Sequence, residues 1–287
     1  MAAVFERELR SYFTGLLGWI FVVFILVFGG IYTMTYNLNG GYSNFEYVLA
    51  QMSFIFIICI PLLTMRAIAE ERHQHTDQLL YLLPVGIPRI VLGKFLAMLV
   101  VLALPVAVMC FYPLILSLYG AVSLKIAYSA LFGFFCLGAA LASMGLFISS
   151  LTDNQTIAAV VTLLFMLLNY FMTSLSGYIG SEAVASFIAF TLMAALIGFL
   201  LRAFTRSTKA AVILFAVLEA ALIVLLIVAP NSLSGAFPHM ISQLSLFDRF
   251  NEFVHGVFDL TAIIYDLSVM AIFLFLTIQA MEKRRWN

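Results

Sequence analysis

The chain has 287 residues, 64% of them hydrophobic and only 10% charged, with a mean hydropathy of +1.11 and as many acidic as basic side chains. An ordinary soluble domain is about 25% charged, so a soluble globular protein is excluded, and no nucleic-acid partner is expected. The apolar runs are continuous and do not alternate, and about 20 residues at a rise of about 1.5 Å match a hydrocarbon core about 30 Å thick, so the expected fold is an all-α polytopic membrane helix bundle.

In chain order, residues 1–14 put Phe5, Leu9, Tyr12 and Phe13 at helical spacing on one face, which predicts an amphipathic elbow helix at the membrane surface. A first span runs from about Leu16 to Tyr36. It follows a charged helix and lacks a small-x-small cleavage site, so it is expected to stay in place as a span. A turn-rich loop with Asn39-Gly40-Gly41 leads to a second span, about Tyr47 to Met65, kinked at Pro61. Arg66 to Lys94 is then the long charged stretch between apolar runs, an expected intracellular hinge. A third span (about Ile90 to Leu118) is expected to tilt or break at Pro105 and Pro113, and a fourth covers about Ile126 to Ser149. Thr152-Asp153-Asn154 is a cap signal before a fifth span, about Thr156 to Leu175. A sixth (about Val184 to Leu201) and a seventh (about Ala210 to Ala229) precede a loop over 230–260, and the last span is about Thr261 to Met281.

About eight spans, with the N- and C-termini both cytoplasmic, leave only Lys125 and Arg249 of the 14 basic residues outside. A six-span alternative lacking the sixth and seventh helices keeps the same bias. Cys59, Cys110 and Cys136 lie in apolar runs without paired spacing and are read as packing residues.

The hinge carries Glu70-Glu71-Arg72, Thr76, Leu79-Leu80, Leu83-Pro84-Val85 and Ile90-Val91-Leu92-Gly93-Lys94-Phe95. This ordered pattern resembles the permease subunits of type-2 ATP-binding-cassette transporters. The tail, Phe247 to Trp286, resembles permeases of that class related to the gliding-motility and nitrous-oxide-reductase maturation systems. The resemblance implies one transmembrane permease domain over 1–287, with the elbow at 1–14, a cytoplasmic coupling segment at 66–89 and an extracytoplasmic loop with an amphipathic helix at 230–260. It further implies a bacterial cytoplasmic membrane, a separate ATPase subunit in two copies that carries ATP and Mg, and a second permease, identical or related. The chain itself is expected to bind no cofactor or metal and to be no enzyme, since it has no GxxxxGK[ST] loop. By resemblance, Glu70, Glu71, Arg72, Thr76, Asp77, Leu79, Leu80 and Pro84 form the ATPase-coupling element. The charges suit a partner's rim, the leucines suit an apolar anchor, and Pro84 ends the helix.

Glu219 is the one acid this assignment puts near mid-bilayer, either as a functional group or as a packed neutral acid. Thr162, Asn169 and Thr173 share a face of the fifth span, which suits polar glue between helices and, by resemblance, the permease interface or the substrate path. Phe247, Phe250, Val254 and Phe258 form an apolar stripe opposite Asp248, Arg249, Glu252 and His255, and predict an outer helix that is either a lid by resemblance or plainly interfacial. His73 and His75 do not share a helical face and lack HExxH, which argues against a metalloprotease. The expected function is that of an exporter permease driven by a partner's ATP hydrolysis through alternating access. The alternative is an ATP-driven mechanical anchor that passes force to an extracytoplasmic partner.

Overall fold

The computed structural model describes residues 2–74, 76, 86–178, 182–205, 208–228 and 233–285. Its helices are α1 (Ala2–Thr14), α2 (Leu16–Thr33), α3 (Glu46–Ser53), α4 (Phe56–Thr64), α5 (Ala69–His73), α6 (Ile87–Met109), α7 (Phe111–Ser117), α8 (Leu124–Leu151), α9 (Gln155–Tyr178), α10 (Ala183–Thr205), α11 (Thr208–Val228), α12 (Ala236–Leu244), α13 (Leu246–Val254) and α14 (Leu260–Arg285). A π-helical turn, Met34–Asn39, extends α2.

Among the described residues, five helices are long and apolar enough to cross a membrane: Leu16–Asn39, Ile87–Ser117, Leu124–Leu151, Gln155–Met172 and Leu260–Arg284. A sixth crossing is added if Glu46–Ser53 and Phe56–His73, bent by 58° to each other, make one broken span. This corrects the expected count of about eight. The expected sixth and seventh spans are helical, but their apolar stretches among the described residues are Ala183–Ala195 and Phe215–Leu226, each of only 10–17 residues. Five crossings put the two termini on opposite sides of the membrane and six put them on the same side, so the count does not fix where they lie.

Two compact units divide the chain, Met1–Leu168 with Arg249–Asn287, and Asn169–Asp248. In the first unit α8 is the hub, with 83% of its apolar window buried and with α14, α4, α6 and α3 packed around it. Its sequence explains this, because Gly133, Gly138 and Gly145 let neighbours approach the backbone: an added β-carbon would meet Phe253, Leu102 and Thr64, respectively, at under 3 Å. Phe134 of α8 stacks on Phe56 with ring centroids 4.2 Å apart and lies 6.0 Å from Phe250 of α13. The third span does break. Pro113 has no N–H to offer the Met109 carbonyl, and the helix is interrupted at Cys110 between α6 and α7.

At the α8–α9 corner the cap forms as its residues predict: the Thr152 hydroxyl accepts the Asn154 amide at 3.2 Å, and Asn154 Oδ1 accepts the Thr156 amide at 2.9 Å. In the second unit α10 packs on α11 and on α12, with Phe190 and Phe237 edge to face at 5.0 Å.

Candidate functional site

The hinge is a short helix, α5, whose own buried residues are Ala69 and Arg72. Successive helical residues point about 100° apart. Glu71 and Arg72 therefore enter two different surroundings.

Glu71 turns toward α1 and α6. Its carboxylate accepts from Arg7 at 2.6 Å and from Lys94 at 2.8 Å. Lys94 is only 1% exposed and also donates to Glu8 at 3.0 Å and to the Ala67 carbonyl at 2.8 Å. Three acceptors thus meet the three donors of one buried ammonium, the arrangement that makes a buried charge tolerable. Arg7 closes the ring by donating to Glu8 at 2.5 Å. Burial pulls the Arg7 guanidinium down and the two glutamates raise it by more, so its proton is held more tightly than on a free arginine. Beneath the cluster, the Tyr12 hydroxyl donates to the Leu63 carbonyl at 3.2 Å, and burial first, then Glu8, Glu70 and Glu71, drive its phenol well above the ordinary range. An open cavity of about 610 Å³ lies against this cluster, with Ser11, Arg66, Glu70, Gln74 and Thr76 on its other walls.

Arg72 turns toward the end of α8 instead, where it donates to the Ser150 carbonyl and lies 4.0 Å from Asp153. Asp153 in turn accepts two parallel bonds of 2.7 Å from Arg284 near the end of α14, the bidentate geometry that arginine and carboxylate favour. The Ser149 hydroxyl accepts the Ile68 and Ala69 amides at 3.2 and 3.1 Å and so caps the start of α5. The elbow helix, the hinge, the α8–α9 corner and Arg284 consequently meet at one end of the first unit.

Glu70 stays partly exposed, 3.9 Å from Arg66 and 3.3 Å from the Gln74 amide, and Thr76 closes the turn by donating to the Glu71 carbonyl. Asp77, Leu79, Leu80 and Pro84 lie outside the described residues. Thr162 is fully buried and donates to Ala158 of its own helix at 2.7 Å. The Asn169 amide holds the corner between α12 and α13: its nitrogen donates to the Leu244 carbonyl at 3.4 Å, its oxygen accepts the Leu246 amide at 3.1 Å, and its backbone carbonyl accepts the Ser245 hydroxyl at 3.4 Å. The Thr173 side chain lies outside the described residues. Glu219 accepts from Thr191 on α10 at 3.2 Å, and its other oxygen is buried with no hydrogen-bond partner among the described residues.

Phe247, Phe250 and Val254 are buried on α13, and Phe253 joins them. Phe258 is exposed and lies beyond the helix, because Gly256 takes a φ of +83° and ends the helical path. Arg249 stacks over the Tyr265 ring at 4.1 Å.

Several residues of this end of the molecule escape sequence reading. Lys94, Glu8, Asp153 and Arg284 pair across 86 and 131 residues, and no local pattern announces such partners. Asp266 was missed for another reason. It is 4% exposed in α14 with one oxygen unpartnered among the described residues, and it shares the buried face of Ala262, Val269 and Met270, a spacing that does mark it as inward-facing. Among the described residues no group of three or more His, Cys, Asp or Glu could hold a metal ion.

Residues 31–186, a little over half of the chain, match the model of the ABC-2 family transporter proteins. The chain belongs to the ABC-2 transporter family. The match takes in the bent second span, the hinge, α6 to α9 and the start of α10. Neither the curated proteins nor the solved structures yield a match. An ABC-2 membrane subunit is a non-catalytic transport component embedded in lipid, and the family implies a separate ATPase partner.

Proposed function

We propose that this ABC-2 permease is the membrane half of an ATP-driven exporter in a bacterial cytoplasmic membrane, with two ATPase copies and a second permease, identical or related. The tail resemblance favours the gliding-motility and nitrous-oxide-reductase maturation group. The observation that carries the reading is the hinge itself. A charged segment between two spans begins as a helix fixed by ion pairs to α1 and α6, by a hydrogen bond to the end of α8, and through Asp153 to α14, which is what a coupling element requires if a push from outside the membrane is to move helices within it.

In this reading ATP-bound ATPase subunits close, displace the segment over 66–89, and switch access to a path between the two permeases. Glu70 and Thr76, with Asp77, Leu79, Leu80 and Pro84, meet the ATPase, whereas Glu71 and Arg72 fasten the segment to its own bundle. Asn169, Thr162, Thr173 and Glu219 serve the path or the permease contact, and α13 acts as the lid.

The test is purification of the tagged chain from membranes that co-express its neighbouring genes. An ATPase subunit is expected in equal amount, and Glu70→Lys is expected to lower the hydrolysis rate of the complex. A chain that purifies alone and binds no ATPase overturns the reading.

A further inference from the structure

We infer that Lys94 and Asp153 are positioning residues through which the hinge drives two separate arms of the bundle. The inference rests on the reading above that the segment after α5 meets the ATPase. α5 is five residues long and buries Ala69 as its one apolar side chain; Ala67 and Ile68 pack in the turn before it, so beyond that turn the helix is held by polar groups. Its lateral attachments are polar, and they diverge at adjacent residues. Glu71 leads through Lys94 to α6, and Glu8 and Arg7 add α1 to the same arm. Arg72 leads through Ser150 and Asp153 to the α8–α9 corner, and Arg284 adds α14 to the second arm.

Lys94 and Asp153 stand at matching places in the two clusters. Each faces a residue at the hinge, Lys94 in a 2.8 Å bond to Glu71 and Asp153 at 4.0 Å from Arg72, and each bonds to one on a helix distant in sequence. Lys94 is buried, and a buried charge cannot exchange its partners for water without a large desolvation penalty, so the bonds follow the hinge as it moves. Asp153 is half exposed, and its hold on Arg284 comes from the two-bond geometry instead. Displacement of α5 therefore carries α1 and α6 by one route and α14 by the other, so the spacing between α6 and α14, which pack on each other, changes when the hinge tilts.

The experiment uses the full permease with its own ATPase in lipid nanodiscs, with the native cysteines replaced and spin labels on Leu118→Cys at the end of α7 and Leu260→Cys at the start of α14. Both positions are exposed, and each rides on one arm. In the otherwise unchanged chain, binding of ATP is expected to shift the distance between the labels. Lys94→Met strands two carboxylates, so it is paired with Glu71→Gln. That double variant and, separately, Asp153→Asn are expected to co-purify with the ATPase and to lose at least half of the nucleotide-driven shift. Asp153→Glu is expected to restore it.

A purely structural role would instead show as lowered thermal stability with the shift intact, and a full shift in both variants overturns the inference. So does an unchanged chain whose labels do not move. Should the Lys94 variant fail to fold, Asp153→Asn decides alone. A failure of the functional reading is separable, since it appears as an unaltered chain that holds no ATPase before any variant is made.

Discussion

Gly145 on α8 stands so close to Thr64 on α4 that a β-carbon added to it would sit 2.3 Å from the Thr64 hydroxyl oxygen. Thr64 cannot swing away, because it is β-branched, fully buried and bonded to the Ile60 carbonyl at 2.9 Å. Gly145→Ala gains about 1 kcal/mol of helix propensity and incurs overpacking of about 1–3 kcal/mol, which forces the two helices apart. The expected result is a lower thermal midpoint in detergent, recovered when Thr64→Gly is added. An unchanged midpoint would place the helices further apart than described.

The Asn169 side chain ties two backbone groups at the α12–α13 corner, the Leu244 carbonyl and the Leu246 amide, each bond worth about 1 kcal/mol. Asn169→Ala is expected to speed hydrogen exchange at the Leu246 amide, while exchange elsewhere in α9 stays slow. If exchange at that amide does not change while transport falls, Asn169 serves the path and does not hold the corner.

Asp266 keeps a carboxylate oxygen without a partner among the described residues on the buried face of a span, an arrangement that destabilises a membrane helix unless it has a use. Asp266→Asn is expected to unfold no earlier than the parent chain and to lower the ATPase-coupled activity of the complex. A loss of stability above about 2 kcal/mol would identify the carboxylate as a structural bond acceptor instead.

Asp259 begins α14 by accepting the Thr261 amide at 2.8 Å, and that bond holds its carboxyl below the ordinary carboxylate range. A depressed value in the fold means that the cap is fully present above the unfolded pKa of about 3.9 and is lost as pH falls through the lower folded value. Protection of the Thr261 amide, corrected for intrinsic exchange, is expected to be level above pH 5 and to drop in acid. Asp259→Asn is expected to keep the cap and remove the pH dependence.

Span length and caps were legible in the sequence because they are local. Leu16 onward, the α8 and α9 runs and the last helix are apolar for long enough to cross, and Thr152 with Asn154 form the bonds that their residue types suggest. The hinge was legible as a charged segment, but its wiring was not. Glu71 finds Arg7 and Lys94 only after α1 has folded back onto α6, and nothing near residue 71 records that. The span count differs for a related reason, since apolar composition over 184–229 was counted as two crossings while among the described residues the apolar helical stretches there are Ala183–Ala195 and Phe215–Leu226. Phe258 was drawn into the α13 stripe because periodicity ignores Gly256, whose backbone ends the helix first.

The burial of α8 also constrains how the protein is made. A helix 83% enclosed by its neighbours, with glycines where they touch, has little surface to offer lipid. Its most extensive partner is α14, which is synthesised only after α9 to α13. The centre of the bundle therefore remains incompletely covered from the moment α8 enters the membrane until α14 has joined it. A chain that stalls after α11 should be recognised as unfinished, and removed, even though most of its crossings are already in place.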